Sequence, residues 1–390
     1  MKATVHVCKG CRKRKKFRAD QLHCSLECLR SSAAAKHSEG PRGGDSVEVL
    51  LQRLRDKREG KDREIKNLLQ TVTVLESENR TLLGLKNNPP KIFDVRPKVS
   101  SSKSESAAVF AWSDWHIEER VRPEQVSHRN EYTLEIADER FRNLLHGGLT
   151  WLNIENRRTS IKQIVLALLG DFITGSIHGD LTEDNQLPPA EAIHKAHGMI
   201  LSGIKFMLAN TPRDVSFTIP CHSGNHARMT KEQRIATEAG NSLEFFMYRQ
   251  LQDHLQDEKR IAFIVQPGYH SYLRFFDSAF EARFHHGHQI KYSGGAGGIS
   301  ASANRAIAQW NRARTANLDV FGHHHQRFDG GNFIANGSLI GYNAYAVSIR
   351  AGFEPPSQTF FLINREYAAK TMVAPIFVDR PRDVEMKLAA

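Results

Sequence analysis

Between residues 47 and 82 the apolar positions recur at alternating spacings of four and three. Val47, Leu51 and Leu54 begin the series, and Ile65, Leu68, Val72, Leu75 and Leu82 continue it. This is a heptad seam. Ile65, Val72 and Asn79 share one core position, and Leu68, Leu75 and Leu82 share the other. β-Branched residues at one position, Leu at the other and a single core Asn favour two parallel strands. The pattern therefore predicts a coiled-coil helix over 45–86 and a homodimer through residues 47–82. Arg58, Gly60 and Lys61 interrupt the first half, and Asn87-Asn88-Pro89-Pro90 closes the helix. Residues 31–44 and 87–106, rich in Ser, Gly, Pro and charge, read as linkers.

From Ala107 onward short apolar runs alternate with amphipathic ones, the pattern of an α/β domain. Strands are predicted at 107–112, 163–170, 215–220 and 318–321, and several more within 261–293. Short strands continue to about Asn364. Helices are predicted at 132–153, 190–208, 232–254 and 301–316, with Pro189 near the start of the second. No internal repeat is visible. The organised body spans 107–380.

Composition sharpens this division. Residues 1–100 carry 23 Lys and Arg against 12 Asp and Glu, whereas the remainder carries 31 of each. The whole formal excess of +11 thus lies in the first quarter, as in a polyanion-binding arm on a neutral body. The first residues lack the apolar segment of a signal peptide, and no run is long enough to span a membrane. A cytoplasmic protein with reduced thiols is expected.

Four of the five cysteines fall early, as Cys8-Lys-Gly-Cys11 and Cys24-Ser-Leu-Glu-Cys28. Two close pairs a dozen residues apart suit one structural zinc, with His23 as an alternative ligand. Residues 1–30 are too few to bury a core, so the metal would supply the folding energy. The basic run Arg12–Arg18 is expected on the loop of this zinc-binding finger. There it would release counterions from a phosphate backbone, contacting backbone rather than bases.

Five polar pieces sit at or near the ends of predicted strands. They are Asp114-Trp-His116, Gly170-Asp171, Gly224-Asn225-His226, His286-Gly287-His288 and Gly322-His323-His-His325. Each alone is ambiguous, since most Gly-Asp pairs after a strand make turns. In this order and spacing they resemble the calcineurin-like metallophosphoesterase superfamily, over about Ala107 to Asn364. The resemblance implies two stacked sheets flanked by helices, a four-layer β-sandwich, with two divalent ions (Mn, Fe or Zn). By the same resemblance Asp114 and His116 bind the first metal with His325. Asp171 bridges both, and Asn225, His286 and His323 bind the second. His226 is then the catalytic general acid, protonating the leaving group as a metal-bridging hydroxide attacks phosphorus. Residues two apart on a strand share a face, which would let Asp114/His116 and His323/His325 each converge.

Two positions depart from the superfamily's pattern. Ala227 stands where an acid usually follows Gly-Asn-His, and Thr174 stands where the repair nucleases carry a His. Arg228, next in line, is a candidate for binding substrate phosphate. Gly337 to Tyr345 and Gln358 to Leu362 resemble stretches of phage-encoded, exonuclease-like members, which implies a host cytoplasm. The expectation is a metal-dependent nuclease whose basic arm holds DNA. A phosphatase or nucleotide phosphodiesterase with the arm as a tether stays open, as does a non-enzymatic scaffold.

Overall fold

A computed structural model describes residues 4–7, 14–17, 46–87, 104–177, 179–277, 280–291 and 298–379. The chain divides into two compact units, Met1–Lys98 and Val99–Ala390. In the first, β1 (Thr4–Val7) pairs antiparallel with β2 (Arg14–Phe17), Thr4 lying opposite Phe17 and Val7 opposite Arg14. Much of the basic run is therefore a strand and not the expected loop, its backbone groups satisfied by pairing with a Thr- and Val-containing partner. Cys8, Cys11, Cys24 and Cys28 lie outside the described residues. Helix α1 (Val47–Asn87) runs 41 residues without a break at Gly60. Its seam residues Leu54, Ile65, Leu68, Val72, Leu75 and Leu82 are all about half exposed or more.

The second unit holds two larger sheets. One is ordered β13-β12-β3-β4-β5-β6. In it β3 (Glu105–Trp112), β4 (Ser160–Leu168), β5 (Ser216–Cys221) and β6 (Ile261–Val265) are parallel. β12 (Ser357–Asn364) pairs antiparallel with β3, and β13 (Ala369–Phe377) closes that edge. The apolar pattern had been expected to end near Asn364. β13 reads weakly because it is a half-exposed edge strand carrying Pro375, which an edge tolerates. The other sheet is ordered β10-β11-β9-β8-β7, from β7 (Ser271–Arg274), β8 (Glu281–Phe284), β9 (Leu318–Phe321), β10 (Phe328–Asp329) and β11 (Phe333–Ala335).

Alternation along β3 explains the layering. Ala107, Val109 and Ala111 face Phe284, Leu318 and Val320 of the second sheet, in one core. Ala108, Phe110 and Trp112 face a second core with helices α2 (Leu134–Asn156), α4 (Pro189–Ala209) and α5 (Leu243–His254). α3 (Gly179–Asp184) is a short helix before α4. On the far side of the second sheet, α6 (Gly298–Trp310) packs Ile299, Ala303 and Ile307 against Phe321 and Phe333. The order is helix, sheet, sheet, helix. Strands buried on both faces read as continuous apolar runs, which is why the sequence marks them so clearly.

Two predicted helices shrink. The segment expected over 232–254 begins at Leu243, because Ala239–Asn241 forms only a single 3-10 turn and Ser242 adopts an extended N-cap whose hydroxyl accepts from the Phe245 amide. The one expected to reach Ala316 stops at Trp310. There the Asn311 side-chain oxygen takes hydrogen bonds from the Ala316 amide and Arg283 instead. A short helix, α7 (Ala344–Ser348), was not expected at all and is capped by Asn343.

Candidate metal centre

Each of the five polar pieces follows a strand end directly. Asp114 and His116 follow β3, Asp171 follows β4, and Asn225 and His226 follow β5. His286 follows β8, and His323 and His325 follow β9. This is the carboxyl-end edge where parallel strands present ligand-binding loops. Two glycines let the loops meet. A Cβ on Gly170, at φ +90°, would lie 2.2 Å from the Gly224 nitrogen, and one on Gly224 would lie 2.0 Å from Asp171 Oδ1. Any larger residue at either place would push Asp171 from Asn225.

Strand alternation is not the reason that Asp114 and His116, or His323 and His325, converge. β3 and β9 have already ended, and all four residues are in the left-handed region, at φ 55°, 46°, 72° and 55°; Asp171 joins them at 53°. Each costs on the order of 1 kcal/mol or more, and such strain collects at functional sites. Backbone hydrogen bonds hold it in place: the Asp114 amide donates to Gly170 O at 3.0 Å, Trp115 to Asp171 O at 2.8 Å and Ile117 to Phe172 O at 3.1 Å. Trp115 turns inward and is fully buried, with its indole N–H directed at Gln358 Oε1, 3.3 Å away.

The converging side chains form two sets of one carboxylate and two imidazoles. Asp114, His116 and His325 make one, and Asp171, His286 and His323 make the other. Within each set the candidate donor atoms all lie within 4.8 Å of one another, and His116, Asp171 and His226 form a third such group between them. Asn225 Oδ1 joins the second set at 3.2 Å from His286 Nε2. Across the first set His116 Nε2 and His325 Nε2 approach to 3.2 Å. The rings are aimed by their other nitrogens. His286 Nδ1 donates to Leu169 O at 2.7 Å, His226 Nδ1 to Thr174 O at 3.0 Å, and His116 Nδ1 lies 3.0 Å from the Thr174 hydroxyl. That hydroxyl also donates to Glu119 at 3.2 Å. Bonds of this kind fix which nitrogen faces a metal.

Charge within the site is unbalanced as it stands. Burial, together with the neighbouring Asp171, pushes Asp114 up to about 7 despite His286. Burial acts on Asp171 as well, but the charges of His286 and His226 outweigh it and hold this carboxyl well below its usual range. His286, 2.9 Å from Asp171, is raised to about 10 by that carboxylate against the effect of burial. Burial holds His116 and His323 neutral, with neighbouring imidazoles adding to the effect, and lowers His325 to about 3. Neutral imidazoles and ionised carboxylates are the forms that bind cations. The donor set fits divalent metal ions.

No protein-family model matches the chain, and no curated protein does. Among solved structures it resembles the sulfate thiohydrolase SoxB of Thermus thermophilus in complex with glycerol. Identity there is 9%, the TM-score is 0.29, and the match covers 76% of this chain and 61% of SoxB. It also resembles the phosphopantetheinyl hydrolase PptH of Mycobacterium tuberculosis. Identity is 10%, the TM-score is 0.25, and coverage is 60% of this chain and 91% of PptH. The chain thus spans less than two thirds of the SoxB length. Both likenesses are too slight to carry an argument, and the chemistry rests on the residues themselves.

A cleft of about 120 Å³ opens onto the cluster, walled by His, Asp, Glu and Asn side chains and by Tyr345. His226 is on that wall, and Ala227 is buried behind it. The Thr174 carbonyl orients the His226 ring, the task an acid at 227 would have had. Arg228 is not part of the wall. Its guanidinium donates to Asn225 O at 2.6 Å and buttresses the loop from behind. Sequence reasoning missed Glu244, whose two buried oxygens accept the Phe172 and Gly224 amides at 2.7 Å each and so clamp the Asp171 and Asn225 loops together. It also missed Glu119, Asn343 and Tyr345. The one available signal was Asn343 two residues after Gly341, a cap before an apolar pair.

Proposed function

We propose that the chain is a dinuclear metal-dependent phosphoesterase that hydrolyses phosphodiester bonds in nucleic acid, most naturally DNA. The observation that carries the phosphoesterase reading is the pair of carboxylate–imidazole sets meeting around Asp171, with His226 beside them at an open cleft. Asp114, His116 and His325 would hold one ion, Asn225, His286 and His323 the other, and Asp171 both. Two such ions would polarise a phosphoryl group and make water a nucleophile at neutral pH.

The chain's own residues supply the rest. His226, its Nδ1 engaged by Thr174 O, lines the cleft and gives a proton to the departing oxygen. Glu244 keeps the loops of Asp171 and Asn225 in register during this exchange. The nucleic-acid part of the proposal rests on the basic excess of residues 1–100, with Cys8, Cys11, Cys24 and Cys28 binding a structural zinc. Arg228 supports the loop through the Asn225 carbonyl and does not line the cleft.

The test is hydrolysis of labelled single- and double-stranded DNA with added Mn²⁺, beside methyl p-nitrophenyl phosphate. Asp171→Ala is the control for metal dependence, and His226→Gln should lower turnover by about 10²–10⁴-fold. DNA cleavage that Asp171→Ala abolishes supports the nuclease reading. Turnover of the small ester alone would make the protein a phosphatase or nucleotide phosphodiesterase with a tethering arm. No turnover of any phosphoester would return it to the scaffold class.

A further inference from the structure

Tyr345 is the one aromatic side chain other than histidine on the cleft wall. It lies near the start of α7, and its ring meets His325 edge-on with centroids 5.6 Å apart. It is 38% exposed, and among the described residues its hydroxyl makes no hydrogen bond. A tyrosine serving only to support His325 would be expected to bury its ring or anchor its hydroxyl.

The position is also fixed. Asn343 caps α7 through the Ala346 amide at 3.1 Å, and its side-chain amide donates to Glu119 Oε1 at 2.9 Å. Glu119 in turn accepts from Thr174, the hydroxyl that aims His116. The ring is therefore tied through three side chains to the first ligand set. A rigid, half-open aromatic face beside a phosphoryl-binding centre is suited to a flat group attached to the phosphate. Every nucleobase offers such a face, and stacking on an aromatic ring does not depend on which base it is.

We infer that Tyr345 is a base-stacking subsite, so that the substrate is a phosphodiester bearing a nucleobase next to the bond that is cut. The inference rests on the phosphodiesterase reading above and deepens it by assigning the residue that holds the base beside the bond that is cut. A sugar phosphate, a lipid phosphodiester or an inorganic polyphosphate has no planar aromatic group to stack on this face.

The test compares a short oligothymidylate with a strand of equal length built from abasic tetrahydrofuran units, whose phosphodiesters are the same but whose bases are missing. With Mn²⁺ the native full-length protein should prefer the thymidylate in kcat/KM by about tenfold or more. Tyr345→Phe should keep that ratio. Tyr345→Ala should bring it close to one, mainly through KM. Equal kcat/KM on both strands in the native protein would overturn the inference. So would a Tyr345→Ala variant that slows both strands by the same factor, since the ring would then act only by supporting His325. Cleavage of neither strand would remove the phosphodiesterase reading itself, an outcome distinct from either.

Discussion

Thr174 shows how much of this site depends on a single hydroxyl. It accepts from His116, donates to Glu119 and offers its carbonyl to His226. Thr174→Val keeps the shape and the carbonyl but removes the hydroxyl. Metal affinity should fall by about 10–100-fold, the usual effect of losing a partner that orients a ligand. Thr174→Ser should recover most of it, and metal titration of the three proteins decides the matter. The candidate metal ligands themselves were legible because short polar motifs interrupt apolar runs. Their cause of convergence was not, since left-handed backbone at Asp114, His116, Asp171, His323 and His325 leaves no mark in hydrophobic pattern. Glu244 and Asn343 were illegible for another reason. The contacts that tie them to the site lie 72 and 224 residues away in the chain, and the cap at Asn343 signals only the start of a helix.

Among the elements, β8 and β9 have a special burden, because each launches a loop carrying candidate ligands. Arg283 on β8 and Asp319 on β9 lock them with two bonds of 2.6 and 2.9 Å, and both side chains are fully buried. Burial raises the Asp319 carboxyl, but hydrogen bonds from His285 and Arg283 outweigh this and leave it depressed. Asp319→Leu alone strands a buried guanidinium and should cost about 3–5 kcal/mol in urea unfolding. Arg283→Met together with Asp319→Leu should restore much of that. A single variant as stable as the native protein would show that the pair does not join the strands. Here the sequence was a good guide to one partner. β9 was predicted at its observed limits, 318–321, whereas Arg283 in a strand gave no sign that it would be buried. The truncated helix before Leu243 teaches the same lesson. Periodicity ran on through 232–242, but the 3-10 turn Ala239–Asn241 and the Ser242 cap decided where the helix begins.

At the scale of the molecule the chain has two compact units, Met1–Lys98 and Val99–Ala390, and the first carries the long helix α1. Isolated helices are marginal in water, and α1 bears an apolar seam along most of its 41 residues. Pairing with a second copy would cover that seam and set two Asn79 side chains opposite each other. Sedimentation of the full chain should give a dimer that Leu68→Glu with Leu75→Glu converts to a monomer; a native monomer at micromolar concentration would count against the coil. A parallel dimer would bring two basic arms to one end, so that binding to long DNA gains from both. The proposed pair of ions sharing Asp171 is best probed by Mn²⁺ loading followed by electron paramagnetic resonance. Two Mn²⁺ per chain should bind with an exchange-coupled spectrum, and Asp171→Ala should abolish the coupling. A single uncoupled ion in the native protein, or a coupled pair that survives Asp171→Ala, would rule out a dinuclear centre bridged by Asp171.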